Sequence, residues 1–99
     1  MLDQNQGLVA MTRELVFPPD FNDYAWEVES KGVFWGANVR VDDSLFSITF
    51  YDPTRLQQDI DADMEADRLF TVKRLLVVER VTVDNMRSAV AEAPADFFG

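Results

Sequence analysis

Five carboxylates fall within nine consecutive residues of this chain, in the stretch DIDADMEAD at 59–67. Carboxylates so close together can coordinate a hard cation, transfer protons, or attract a basic protein surface. Each of these chemistries needs a different local structure. The element that carries the stretch therefore decides among them.

A calcium loop is the first interpretation, because acids occupy alternate positions from Asp59 to Glu65, as they do at the start of an EF-hand loop. Such a loop also needs Gly at its sixth position and a bidentate Glu at its twelfth. Those positions hold Met64 and Phe70 in this chain. The sequence therefore argues against a calcium site, and we predict no metal ligands.

Catalysis is disfavoured by two residue types that the sequence lacks, since the chain has no histidine and no cysteine. Histidine is the usual general base near neutral pH and the usual nitrogen ligand of zinc. Cysteine would be needed for a disulfide, a thiolate metal site or a thiol nucleophile. We predict that the protein is not an enzyme, that it has no catalytic residue and that it uses no cofactor.

The flanking residues predict a helix over 53–66. Asp52 is a good N-cap, and Pro53 suits the first helical position. Asp67 then follows the helix, at a position where Asp tolerates the left-handed conformation better than most residues. An apolar stripe recurs every four residues along the helix. It consists of Leu56, Ile60 and Met64.

On this helix Asp61 and Glu65 are predicted to face water, whereas Asp59 and Asp63 flank the apolar stripe. Acids four positions apart repel each other, so the pattern does not serve the stability of the helix. Arg55 is expected to pair with Asp59 across one turn. Two interpretations stay open: an ordinary solvated face, or an acidic contact surface.

Charge is concentrated around the helix. The whole chain carries a net charge of −9, and residues 42–67 hold eight acids and one base, Arg55, which gives 1 − 8 = −7 for that segment. Repulsion disfavours direct binding to nucleic acids and to anionic membranes, so a basic protein is the natural partner. The predicted partner-binding residues are Asp42, Asp43, Asp59, Asp61, Asp63 and Glu65.

Alternating apolar residues predict an antiparallel hairpin with arms at 33–41 and 46–51, joined by a turn at Asp42-Asp43-Ser44. Further strands are predicted at 11–17 and, as a short segment, at 25–29. Residues 1–10 are predicted to be a flexible lead, before a single globular domain at 11–99.

After the acidic helix, the apolar run LLVVE at 75–79 predicts a strand that lies parallel to the preceding one. Thr82 is expected to cap a last helix that Pro94 ends. Together these elements predict an α+β domain: a mostly antiparallel sheet of four to five strands, with two helices packed on one face.

Aromatic residues offer two further hypotheses. Tyr24, Trp26 and Trp35 suit either a core or a ligand pocket, and the core is favoured because Trp35 alternates with apolar residues along its strand. Phe97 and Phe98 are expected to fold back onto the core rather than to serve as an exposed anchor.

The stretch FYDPTRLQQDI, followed by LLVVERVTVDNMRSAV, resembles a family of small uncharacterised bacterial proteins. These pair an aromatic-Asp-Pro-x-Arg-Leu helix start with a later apolar strand and a Thr-capped helix. The resemblance covers residues 33–98 and implies a bacterial or phage-related origin. It supplies no activity and no site residues.

The sequence therefore predicts a small acidic binding protein of the inhibitor, immunity or antitoxin type. Its partner would be a basic protein, such as a nuclease or a nucleic-acid-binding enzyme. The alternative is a structural or regulatory homo-oligomer, such as a homodimer, with no dedicated acidic interface. The N-terminal residues do not form a secretory signal, so we expect a cytoplasmic protein that binds no membrane.

Overall fold

Four strands and three α-helices make up the fold in the computed structural model, which describes residues 12–98. The strands are β1 (Arg13–Val16), β2 (Val33–Val41), β3 (Ser44–Tyr51) and β4 (Leu75–Val77). The helices are α1 (Ala25–Lys31), α2 (Pro53–Glu65) and α3 (Val83–Glu92), with 3₁₀ turns at Phe21–Asp23 and Ala95–Phe98. The predicted α+β class is confirmed.

The four strands form one mixed sheet in the order β1-β2-β3-β4. The first two pairings are antiparallel, and β4 lies parallel to β3, as the strand–helix–strand order predicted. The predicted hairpin is also confirmed: its turn is at Asp42-Asp43, where Asp42 has a φ of 53°. The predicted flexible lead at 1–10 lies outside the described residues.

Residues 25–29 form part of α1 and not the strand that we expected. The helix spans only seven residues, and Val28 is its one buried side chain, so no helical periodicity is visible in the sequence. Gly32 ends the helix at a φ of 77°, and its N–H donates to the carbonyl of Val28. The fold therefore has three helices where two were predicted.

The two helices that the sequence predicted lie on opposite faces of the sheet. Ile48 and Phe50 are fully buried in the same apolar cluster as Met86 of α3. Tyr51 follows Phe50 in β3, so its side chain points to the other face, where its hydroxyl meets Asp59 of α2. This arrangement corrects the expectation that both helices pack on one face.

Both ends of α2 follow local sequence signals. The Asp52 carboxylate accepts a hydrogen bond of 2.7 Å from the backbone N–H of Arg55, and Pro53 occupies the first turn. Asp67 follows the helix in the left-handed conformation, with a φ of 59°, as predicted. The apolar stripe is not core, however: its first two residues are half-buried, and Met64 is 56% exposed.

A β-bulge in β2 places Trp35 at the surface. The register of the hairpin shifts between Phe34 and Ala37, and the usual alternation of faces is interrupted there. Phe34 is buried, whereas Trp35 is 58% exposed. Gly36 makes this packing feasible, because a Cβ there would lie 3.1 Å from the ring of Phe34. The expectation that Trp35 belongs to the core is therefore wrong.

The end of α3 and the C-terminal segment are held by Arg13 of β1. Its Nη1 donates to the carbonyl oxygens of Val90 at 2.7 Å and Ala93 at 2.6 Å. Its guanidinium also lies 4.8 Å from the ring centroid of Phe98. Phe98 is buried, so the predicted return of the C-terminal aromatic residues onto the core is confirmed.

We predict that Arg13→Met lowers the free energy of unfolding by about 1–3 kcal/mol, because it removes charge-assisted bonds to carbonyls at the C-terminal end of α3, where the helix itself supplies no further N–H donors. Arg40→Met is the matched control. Arg40 lies on the neighbouring strand, and its only ion pair among residues 12–98 is an exposed one with Glu14. Its substitution should therefore lower the free energy of unfolding by about 0.5 kcal/mol or less. Urea denaturation measures the free energy of unfolding of both variants, and equal losses of stability would contradict the role of Arg13.

We also predict that Phe34→Ala costs about 3–5 kcal/mol, since it opens a cavity beneath the bulge. Trp35→Ala should cost about 1 kcal/mol, mainly through the lost contact with the guanidinium of Arg55. Thermal and urea unfolding of the two variants test this ranking. A larger loss for Trp35→Ala would mean that the bulge is not placed as described.

Candidate functional site

The predicted partner-binding residues come from two elements, the β2–β3 turn and α2. Asp42 and Asp43 are exposed at the tip of the β2–β3 hairpin. The hairpin's other end, at the Val33–Tyr51 pair, leads into α2. Eight strand steps of about 3.3 Å separate them, so the tip lies about 25 Å from the start of α2. The turn and the N-terminal end of α2 therefore do not form one patch.

Asp59 is turned inward. Its Oδ2 accepts a hydrogen bond of 2.7 Å from the Tyr51 hydroxyl, and its Oδ1 accepts one of 2.8 Å from Nε of Arg55. The predicted pairing of Arg55 with Asp59 is thus confirmed. With both of its oxygens occupied, this carboxylate holds α2 on the sheet.

The protonation states of this pair are fixed near neutral pH. Burial and the neighbouring Asp59 carboxylate raise the pKa of Tyr51 to about 12. Burial tends to raise the pKa of Asp59, but the hydrogen bonds from Tyr51 and Arg55 outweigh it and the pKa is lowered. Neither group is suited to exchanging protons with a substrate at neutral pH.

Asp63 is also engaged within the chain. Its Oδ1 lies 3.1 Å from Nη2 of Arg68, and the backbone N–H of Arg68 donates to the carbonyl of Asp63. This pair helps to end α2, because it places a cation at the C-terminus of the helix. Asp63 is therefore less available to a partner than the sequence alone suggested.

Asp61 and Glu65 are exposed, as predicted. Asp61 accepts a hydrogen bond from Nε2 of Gln57, and neither acid forms an ion pair with any residue of 12–98. Met64, 56% exposed, and Leu69, 81% exposed, are close in sequence. These four residues, called the acidic ridge below, combine free negative charge with exposed apolar surface.

A cavity near the start of α2 is a second feature of the surface. The favoured interpretation of the sequence did not predict it, because that interpretation placed Trp35 in the core. Trp35 borders a cavity of about 260 Å³ between α1 and β2. The cavity is lined by Tyr24, Glu27, Val28, Lys31, Val33, Phe34, Trp35 and Gly36. Tyr24 and Trp35 thus both line a cavity, and Tyr24 also packs against the core, as the favoured interpretation predicted. Trp26 lies in a different depression with Glu29 and Arg80. An isolated glycine within a strand pattern, here Gly36, is the signal that indicates such a bulge.

Within residues 12–98, no group of three or more Asp, Glu, His or Cys side chains is arranged to hold a metal ion. No helix in this range has the length and apolar character needed to span a membrane.

Comparison with protein-family models, curated proteins and solved structures finds no match for this chain. The resemblance to small bacterial proteins stays a prediction.

The Tyr51–Asp59 bond predicts how stability depends on pH. The pKa of Tyr51 is raised from its value of 10 in the unfolded chain to about 12 in the fold. Its contribution to the free energy of unfolding is therefore complete below pH 10 and is lost as the pH rises through about 12. Asp59 has a lowered pKa, so its contribution is complete above about pH 4 and is lost as the pH falls further. Tyr51→Phe should reduce the loss of stability at alkaline pH, and Asp59→Asn should reduce the loss at acidic pH. Each substitution should also lower the free energy of unfolding by about 1–2 kcal/mol at neutral pH.

Urea unfolding across the pH range measures both effects. Asp61→Asn is the control, since it removes one carboxylate from the same helix but only the contact with Gln57. A pH profile unchanged by Tyr51→Phe would show that the hydrogen bond does not link α2 to the sheet.

Proposed function

We propose that the protein is a small acidic, non-enzymatic binding protein that engages a basic surface on another protein. It would be of the inhibitor, immunity or antitoxin type and act in the bacterial cytoplasm. One observation carries the proposal: Asp61 and Glu65 lie exposed on α2 without a cationic partner among the described residues.

The distribution of basic residues supports this proposal. The two arginines on or next to α2 are already used, since Arg55 pairs with Asp59 and Arg68 with Asp63. Arg13 and Arg74 lie over aromatic rings elsewhere in the fold. The charge of the acidic ridge is thus not neutralised from within, so its field extends into solvent and attracts cationic surfaces.

Exposed apolar side chains in the acidic ridge support a protein partner rather than simple ions. Met64 is 56% exposed on the same helix as Asp61 and Glu65, and Leu69, 81% exposed, follows the helix by a few residues. Protein interfaces combine an apolar centre with a charged, solvated rim. A basic partner with an apolar patch fits both parts of the ridge.

The class of target follows from the sign of the charge. A nuclease or a nucleic-acid-binding enzyme must present a basic surface to bind phosphates. An acidic protein that covers this surface blocks access of the nucleic acid without binding nucleic acid itself. The same surface on the target supplies long-range attraction, which speeds association.

We predict that Asp61→Asn/Glu65→Gln weakens capture of the basic partner by about two- to tenfold at low salt and reduces the salt dependence of binding. The control is Asp84→Asn/Glu92→Gln, which removes the same charge from exposed positions on α3. Pull-down from bacterial lysate at low and moderate salt, read by mass spectrometry, identifies the partner, and titration then measures affinity. Equal capture of the partner by the two variants, with equal salt dependence, would contradict the proposal.

A homo-oligomer is the second candidate, and the edge of the sheet favours it. β4 is the last strand, and Val78 N–H and Arg74 carbonyl bond to β3, so the backbone groups of Leu75 and Val77 point outward. Val77 is 48% exposed at this edge. A second copy that pairs here would give a dimer that dissociates on dilution and is disrupted by Val77→Lys. Sedimentation over a dilution series distinguishes this candidate from a monomeric binding protein.

A further inference from the structure

The cavity beside Trp35 exists because β2 departs from regular strand geometry. The bulge between Phe34 and Ala37 leaves Trp35 outside the core, although its neighbour Phe34 is buried. A large exposed aromatic side chain is unfavourable in water, and tryptophan is the residue most enriched at the energetic centres of interfaces. Bulges also recur at sites where a side chain is redirected for function.

The size and lining of the cavity indicate what it can hold. Three rings contribute to its walls, those of Tyr24, Phe34 and Trp35, and Val28 adds an apolar surface. The volume is about 260 Å³, below the range of about 300–1,000 Å³ that is usual for small-molecule pockets. A single aromatic side chain matches this space, and ring–ring packing with the walls favours it over an aliphatic one.

The mouth of the cavity is electrically balanced. Lys31 pairs with Glu27 at 2.8 Å, and Arg55, whose guanidinium lies 5.9 Å from the Trp35 ring, pairs with Asp59. The positive and negative groups next to the ring thus compensate each other. An uncharged ring is therefore better suited to this place than a cation or an anion.

The first turn of α2 lies near the cavity, although no residue of α2 lines it. The guanidinium of Arg55 is 5.9 Å from the ring centroid of Trp35, and its Nη1 donates to the carbonyl of Lys31, so Arg55 reaches two of the lining residues. Asp61 and Glu65 follow at about 9 Å and about 15 Å along the helix axis from Arg55. A partner segment with a ring in the cavity therefore has free acids within reach of its basic residues.

We propose that the cavity receives one aromatic side chain of the basic partner, while Asp61 and Glu65 bind lysine or arginine residues of the same segment. This inference rests on the proposed function and names the anchor of that interface. Charge complementarity to the acidic ridge identifies the partner as basic, and the neutral, ring-lined cavity identifies its anchor as aromatic.

The first experiment tests whether the cavity binds a ring. p-Cresol, which reproduces the tyrosine side chain, is titrated into the ¹⁵N-labelled protein and followed by heteronuclear NMR. We expect saturable shifts of the Trp35 indole N–H and the Gly36 amide. The indole N–H of Trp26, which lies in a different depression, is the internal control. Trp35→Ala should abolish the shift at Gly36. Absence of a saturable shift, or an equal shift at Trp26, would overturn the proposal.

The second experiment uses two synthetic peptides. One has a central phenylalanine, with lysines near both ends at roughly 10–14 Å from the ring in an extended chain, and its twin has alanine instead. The phenylalanine peptide should bind about two- to tenfold more tightly than its twin. Trp35→Ala should remove this preference, and Asp61→Asn/Glu65→Gln should weaken both peptides equally, in a salt-dependent manner.

The outcomes separate the two proposals. If both peptides bind wild type equally but lose affinity in the acid variant, the acidic function stands and the aromatic anchor is wrong. If the preference for phenylalanine persists while the acid variant binds normally, the cavity accepts a ring but the acidic interface is wrong. If p-cresol binds and the peptides do not differ, the cavity accepts a free aromatic molecule, and the proposed anchor is overturned.

Discussion

The hydrogen-bonded contact of Tyr51, Asp59 and Arg55 determines how the acidic helix is presented. None of the residues of α2 is fully buried, so the helix has little apolar packing to fix its position. The Tyr51 hydroxyl and the Arg55 guanidinium instead hold it through one carboxylate. Because Asp59 faces the sheet, Asp61, two positions further along the helix, must face away from it. A structural carboxylate thus orients the carboxylates that are free to bind.

The bulge in β2, which lies near Arg55, likewise determines which side chains are exposed. It separates two adjacent aromatic residues, so that Phe34 completes the core and Trp35 borders a cavity. Gly36 leaves room for the Phe34 ring, so the local geometry depends on a residue without a side chain. Arg55 connects the two features, since it pairs with Asp59 and also contacts Trp35. Arg55, in the first turn of α2, therefore lies near the cavity, and the same helix carries Asp61 and Glu65 further along.

Some charged residues have partners within the described part of the fold, and others do not. Arg13 binds the carbonyl groups at the end of α3, and Arg55 and Arg68 neutralise two acids of α2. These contacts support the fold locally, and within residues 12–98 they leave Asp61 and Glu65 without an ion pair. A helix with this much unpaired negative charge gains no stability from it, since like charges on neighbouring turns repel. In the proposed function, that charge attracts a basic partner.

The amino-acid sequence by itself determined the elements whose signals are local. Strand alternation specified the hairpin, Asp52 and Pro53 specified the start of α2, and Thr82 specified that of α3. Tertiary structure decided the rest. The seven residues of α1 are too few to show a period, and the bulge that exposes Trp35 depends on packing around Phe34 and Gly36. Whether Asp59 binds Tyr51 or a partner depends on which face of the sheet α2 covers, and no local pattern specifies that choice, because it arises from contacts between segments distant in the chain.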